Sequence, residues 1–204
     1  GTITEEGEAG APAGTTVEVR DLFYNVPARK KFLKSDRAES SRINSMVGKL
    51  AMANPDIAFR LINNGRTVIE TPGTGRIIDV ISSLYGTETA GEMLDVSYEG
   101  EDLFITGAAA KPSLLKSSRQ YQTIIVNRRV VESAAITKAV DNAYHSLLPK
   151  NGYPPILLHL RVPPETIDVN VHPQKREIKF ADEGKIFRDV YHAVLGTLTA
   201  QTAP

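Results

Sequence analysis

His172-Pro173 constrains the path of this chain more than any other pair of residues in it. Proline fixes φ and has no N–H to donate, so a strand entering through Asp168, Val169 and Val171 has to turn there. Beyond the corner Ile178 and Phe180 share one face of a second strand. Lys175, Glu177 and Lys179 fall on the other face, because side chains alternate along a strand. Lys175 therefore stands at a strand start directly after a rigid corner, which aims a cation at an anion, phosphate first among them. The same pattern also describes an exposed strand edge with ordinary solvated lysines. The residues by themselves leave both readings open.

Periodicity predicts most of the remaining elements. Residues 5–13 read as a loop and 15–22 as a strand, with Val17, Val19 and Asp21 on one face and Pro27 closing the unit. A helix is predicted over 36–53, capped by Ser35, with Ile43, Met46, Val47 and Leu50 on its core face; Asn54-Pro55 ends it. Strands at 58–62 and 67–70 flank Asn63-Asn64-Gly65, a hairpin signal. Residues 71–75 (Thr-Pro-Gly-Thr-Gly) read as a hinge; Gly73-x-Gly75 lacks the rest of a phosphate-binding fingerprint and is better taken as a linker. Then follow a helix at 76–85, strands at 92–98 and 102–109, a strand at 120–126, and a helix at 134–148 capped by Ser133. A strand at 156–162 carries Ile156, Leu158, Leu160 and Val162 on one side. A closing helix at 184–198 carries a stripe of Phe187, Val190, Tyr191, Val194, Leu195 and Leu198. The order predicts an α+β fold with helices on one face of a mixed sheet. The 204 residues divide into domains at 1–72 and 73–204.

Composition narrows the function classes. With 41% hydrophobic residues the chain can build a core. Lys plus Arg and Asp plus Glu number 24 each, so a nucleic-acid surface has to come from local clustering and not from net charge. The absence of cysteine excludes a disulfide framework, a thiol nucleophile and a cysteine zinc site. The four histidines, His145, His159, His172 and His192, lack metal-ligand spacing. No apolar run approaches the ~20 residues of a membrane span. The acidic, glycine-rich first ten residues do not read as a secretory signal.

Three segments together resemble one family. They are the run 168–180, the run Gly-Thr-Thr-Val-Glu-Val-Arg-Asp-Leu-Phe-Tyr-Asn-Val-Pro-Ala-Arg-Lys-Lys-Phe-Leu over 14–33, and Val-Asn-Arg-Arg-Val-Val over 126–131. Content and order are similar to the MutL family of DNA mismatch repair ATPases, of the GHKL superfamily. The resemblance implies that 1–72 is the end of a GHKL ATPase α/β sandwich. It implies that 73–204 is a transducer domain like the second domain of gyrase B, a ribosomal-protein-like α+β fold. In the family the catalytic acid, the metal-binding Asn and the adenine-reading Asp lie upstream of the Gly-Thr signature. Only 13 residues precede Gly14 here, and none is Asp or Asn. The resemblance thus implies a fragment of a longer ATPase, with ATP and Mg2+ belonging to the intact protein and none expected for this chain alone.

Carried onto this sequence, the family pattern assigns Lys175 to the γ-phosphate as the catalytic cation, and Gly14 and Thr15 to the adenine side of the nucleotide. It assigns DNA phosphate contacts to the region of Arg128 and Arg129; local basic clustering adds Lys138 and Arg29, and Arg29 could equally be structural, packing its stem under the helix that follows. Read without the resemblance, Gly-Thr-Thr-Val is simply a strand start and the arginines are solvated surface charges. Arg128 stands where many relatives carry glycine. The implied partners are DNA bound without base preference, a second copy of the protein joined through N-terminal regions on ATP binding, and the mismatch-recognition protein MutS, with no membrane. The implied location is cytoplasmic in a bacterium or nuclear in a eukaryote. Two other readings remain: a fragment of a type II topoisomerase B subunit, against which the Phe-Tyr-Asn-Val-Pro-Ala-Arg run speaks, and a stand-alone nucleic-acid-binding module, against which the zero net charge speaks.

Overall fold

Residues 15–22 have the composition of a strand, yet they pair with nothing among the described residues. The computed structural model describes residues 2–8, 10, 12–148, 152–168 and 177–200. The chain divides into two compact units, 1–39 and 40–204. In the first, the run 15–20 carries no ladder, and Val17 and Val19 are 79% and 71% exposed. This corrects the expected strand: β propensity becomes a strand only where a neighbour supplies the partner N–H and C=O groups. A turn follows, with Asp21 and Phe23 at positive φ and Tyr24 N donating to Asp21 O over 2.8 Å. Pro27 then opens helix α1, Pro27–Lys30, where its missing N–H costs nothing. Helix α2, Asp36–Ala53, runs from the first unit into the second. Its start is fixed as the sequence predicts: Ala38 N donates to Ser35 Oγ over 3.4 Å, and Lys34 N donates to Glu39 Oε1 over 2.8 Å.

In the second unit, α2 gives way at Asn54-Pro55 to the hairpin β1, Arg60–Asn63, and β2, Arg66–Glu70. Asn64 and Gly65 both hold positive φ, the requirement of a type I′ turn. The glycine-rich stretch 71–75 is bonded to residues 55–59. Thr71 N donates to Phe59 O over 2.8 Å, Phe59 N donates to Thr71 Oγ1 over 3.0 Å, and Gly75 N donates to Pro55 O over 2.9 Å. At Gly73, φ is +68° and a Cβ would lie 2.6 Å from Ala58 N, so only glycine fits.

The remaining elements are α3 (Ile77–Tyr85), α4 (Thr87–Gly91), β3 (Met93–Glu99), β4 (Phe104–Ala110), β5 (Gln122–Val126), β6 (Arg129–Val131), α5 (Ala134–Tyr144), β7 (Ile156–Arg161), β8 (Ile167–Asp168), β9 (Lys179–Phe180) and α6 (Glu183–Ala200). Five strands form one mixed sheet in the order β3-β4-β7-β5-β6, in which only β5 and β7 run parallel.

Alternation along these strands separates two apolar layers. Ile105, Ile124, Val126, Ile156, Leu158 and Leu160 face α5 and α6 in the larger core. Ala108, Ile125 and Leu157 face Val80 and Ile81 of α3 and the last turn of α2 in the smaller one. The expectation of helices on one face is therefore corrected: both faces are covered. Strands shielded on both sides read as nearly continuous apolar runs, as in Ile156-Leu157-Leu158, so the second layer is hard to read from alternation. At Gly107 a Cβ would stand 2.0 Å from Leu157 O, and glycine is what lets β4 approach β7. Tyr144 is fully buried at the end of α5, and its hydroxyl donates to Ala110 O over 2.5 Å, which satisfies an otherwise costly polar atom. No helix among the described residues is long and apolar enough to cross a membrane.

Candidate nucleic-acid interface

The Val-Asn-Arg-Arg run becomes the tip of the β5–β6 hairpin. Asn127 and Arg128 sit at φ +48° and +66°, forming a two-residue turn with both residues left-handed. Asparagine tolerates this region; arginine does so at a cost, which accounts for the glycine expected at position 128. Asn127 also anchors the turn. Its N–H donates to Leu160 O over 2.9 Å, its Nδ2 donates to Val162 O over 3.0 Å, and its Oδ1 accepts from Val162 N over 3.1 Å. The hairpin tip is thus bolted to the end of β7. Asn127 is a positioning residue that the sequence reading did not single out, although it lies inside a quoted segment.

Arg128 and Arg129 are both exposed, side by side on this hairpin. Their electrostatic surroundings differ. Arg128 Nη2 donates to Asp56 Oδ2 over 3.2 Å, reaching the connection between α2 and β1. A hydrogen bond from its own backbone, followed by the Arg128 contact, holds the Asp56 carboxyl below the usual carboxylate range. Arg129, on edge strand β6, has no ion-pair partner among the described residues. Nearby, His159 of β7 bonds through Nε2 to Met52 O over 2.9 Å. Burial pushes the His159 pKa down, and the charge of Arg128 adds to that effect, so the neutral ring donates the hydrogen bond.

Three other cations of the second unit are already engaged. Arg119 makes a double contact to Asp141 at 2.8 Å and 2.8 Å, and its guanidinium lies 4.5 Å from the Tyr153 ring centre. Lys111 pairs with Glu92 at 3.5 Å, and Lys185 with Asp102 at 3.4 Å. Lys138 is exposed on α5. Arg29 is exposed on α1 and belongs to the other unit, apart from the hairpin's own element set. An exposed pair of arginines on a rigid turn can bind phosphate oxygens without reading bases.

The nucleotide assignments fare differently. Gly14 lies in a bend and Thr15 at the start of the unpaired run 15–20, and both are exposed; among the described residues nothing lies within 4 Å of the Cβ position of Gly14. Among the described residues, no three His, Cys, Asp or Glu gather as metal ligands. The described residues do not by themselves assemble a site that fits ATP and Mg2+. Lys175, with the His172-Pro173 corner, lies outside the described residues; at its margin, Ile178 and Phe180 are buried while Glu177 and Lys179 are exposed, as alternation predicts.

Comparison with known proteins agrees with this fold. The profile described as "DNA mismatch repair protein, C-terminal domain" matches residues 81–199. The DNA mismatch repair protein MutL of Symbiobacterium thermophilum is 42% identical over 200 residues, covering 98% of this chain and 32% of that protein. MutL of Desulforamulus reducens is 39% identical over 194 residues, covering 95% of this chain and 30% of that protein. The chain thus spans about a third of the length of the curated relatives it matches. Among solved structures, the N-terminal domain of a DNA repair protein superposes with a TM-score of 0.69 at 23% identity, over 88% of this chain and 59% of that one. The ATPase domain of the Aquifex aeolicus mismatch repair endonuclease MutL gives 0.61 at 18% identity, over 86% and 59%; these two likenesses are of fold. On the match of more than half its residues, this chain belongs to the MutL family of DNA mismatch repair proteins.

Proposed function

We propose that this chain is the part of a MutL protein that follows its nucleotide-binding core. In this reading residues 1–72 end the ATPase domain, and residues 73–204 form the transducer domain that grips DNA. The intact protein binds ATP with Mg2+, pairs with a second copy through its N-terminal regions, and closes on DNA as a clamp. The clamp passes the signal from MutS to strand incision and excision, in the compartment that holds the DNA. One observation carries the DNA part: an exposed arginine pair on a turn fixed by Asn127, with Arg129 facing no carboxylate among the described residues. Such contacts go to phosphates, so affinity falls steeply with salt and depends little on sequence. Lys138, exposed on α5, extends the proposed contact, and Arg29 of the first unit is proposed as a separate DNA contact. The nucleotide part rests on the family pattern at Gly14, Thr15 and Lys175, and on a solved Aquifex aeolicus MutL ATPase domain complexed with ADP.

The test uses the gene extended upstream to include the ATPase core. ATP hydrolysis is measured with and without single-stranded DNA for the parent, Lys175→Ala and Arg129→Glu. Turnover lost in Lys175→Ala, and DNA stimulation alone lost in Arg129→Glu, is the expected result. Full activity in both variants rejects the two assignments.

A further inference from the structure

Arg128 and Arg129 are neighbours in sequence and both exposed at the hairpin tip, yet among the described residues only Arg128 has a carboxylate against it. Asp56 Oδ2 stands 3.2 Å from Arg128 Nη2, and the two side chains keep 50% and 66% of their surface in water. A phosphate approaching the Arg128 guanidinium therefore reaches it freely but meets a second anion there. The carboxyl is not placed by accident of a mobile loop. Asp56 follows Pro55, whose carbonyl accepts from Gly75 N, and lies two residues before Ala58, whose N–H closes on Gly73 so tightly that no side chain fits. On the other side Asn127 locks the turn that carries Arg128. Two rigid segments, 72 residues apart in sequence, thus hold one cation and one anion face to face.

We propose that Asp56 is a positioning residue for DNA binding: it neutralises Arg128 and keeps that arginine from contributing a full phosphate contact while the 55–59 segment is in place. The hairpin then presents Arg129 as its constant contact and Arg128 as a conditional one. Removing the Asp56 charge leaves Arg128 free for the DNA backbone. Because the pair is exposed, water and salt screen it, and phosphate can compete for the guanidinium. The inference rests on the reading of this hairpin as a DNA contact.

The experiment is a double-mutant cycle on the 204-residue chain, with Asp56→Asn, Arg128→Ala, the double variant, and Arg129→Ala alongside. Binding of a fluorescein-labelled mixed-sequence duplex is followed by anisotropy across a series of salt concentrations, after circular dichroism shows that each variant is folded. Asp56→Asn is expected to tighten binding about threefold at low salt. It should steepen the salt dependence by up to about 0.9 in the log–log slope, the signature of one added phosphate contact. In the Arg128→Ala background the same change should do nothing. An equal gain in both backgrounds means that Asp56 acts only as a general negative charge, and overturns the proposal. No gain from Asp56→Asn, with binding weakened by Arg129→Ala, overturns the proposal but leaves the DNA reading standing. Unchanged binding in all the arginine variants overturns both.

Discussion

Helices α2 and α6 are each 18 residues long and each carries an apolar stripe, but only one stripe is buried. In α6, Ile186, Val190, Ala193, Val194 and Leu198 close the larger core against the sheet and α5. In α2, Ile43, Met46 and Leu50 remain 51%, 52% and 45% exposed, and burial falls on Gly48, Ala51, Met52 and Ala53 instead. The small residues are what allow α3 close: the side chain of Leu84 passes within van der Waals distance of the Cβ position of Gly48, and Tyr85 OH lies 3.7 Å from Met52 Sδ. Apolar periodicity thus reports that a face suits contact. It does not say which face contacts the elements nearest in the fold, because a Gly-Ala patch packs closer than a Met-Ile-Leu stripe.

This contrast can be broken by substitution. The largest effect should come from Val190→Ala in α6, fully buried, which removes about two methyl groups and leaves a cavity. A loss of about 2–3 kcal/mol is expected, read as a fall of several degrees in Tm. A loss close to zero would mean that α6 is not part of the cooperative core. A smaller effect concerns the last turn of α2, which His159 ties to β7. Burial lowers its pKa below the ordinary value near 6.5. The group therefore contributes stability that is complete above about pH 6.5 and is lost as pH falls toward the folded-state pKa. Tm of the parent should drop on acidification through this window. In His159→Gln, whose amide can supply a similar donor without titrating, it should drop less. Parallel pH profiles would remove His159 from that role. The smallest effect is expected for Met46→Ala, at under about 0.5 kcal/mol by thermal melting of the 204-residue chain. A loss as large as that of Val190→Ala would show that the α2 stripe is covered in solution.

Elements whose stabilising contacts are close in sequence were the legible ones. The Asn64-Gly65 turn needs only two positive φ values, and the Ser133 cap needs only the N–H of Ile136, 3.3 Å away. The alternation of Ile156, Leu158 and Leu160 marks one face of a strand whichever strands flank it. What escaped depends on distant partners. Residues 15–22 have strand chemistry without a described neighbour to pair with. Helix α4, at five residues, is too short for a period of 3.6 to show. At the candidate site, the basic run was legible as a run, but its unequal charges were not, since Asp56 comes from across the fold. Nor could sequence show that Asn127 spends its side chain on the backbone of Val162.

The strand order has a further consequence for how such a chain is made. β7 is the last of the five sheet strands to be synthesised, yet it lies between β4 and β5, joining one antiparallel pair to the other. Until residue 161 has left the ribosome, the β3–β4 and β5–β6 hairpins have no strand to join them, and their edges expose unpaired backbone N–H and C=O groups. Closing the sheet requires β7 to insert along both at once, with parallel pairing to β5 across the whole of α5. For a nascent chain, that interval is the time of greatest exposure to wrong edge-to-edge pairing with its neighbours on the same message.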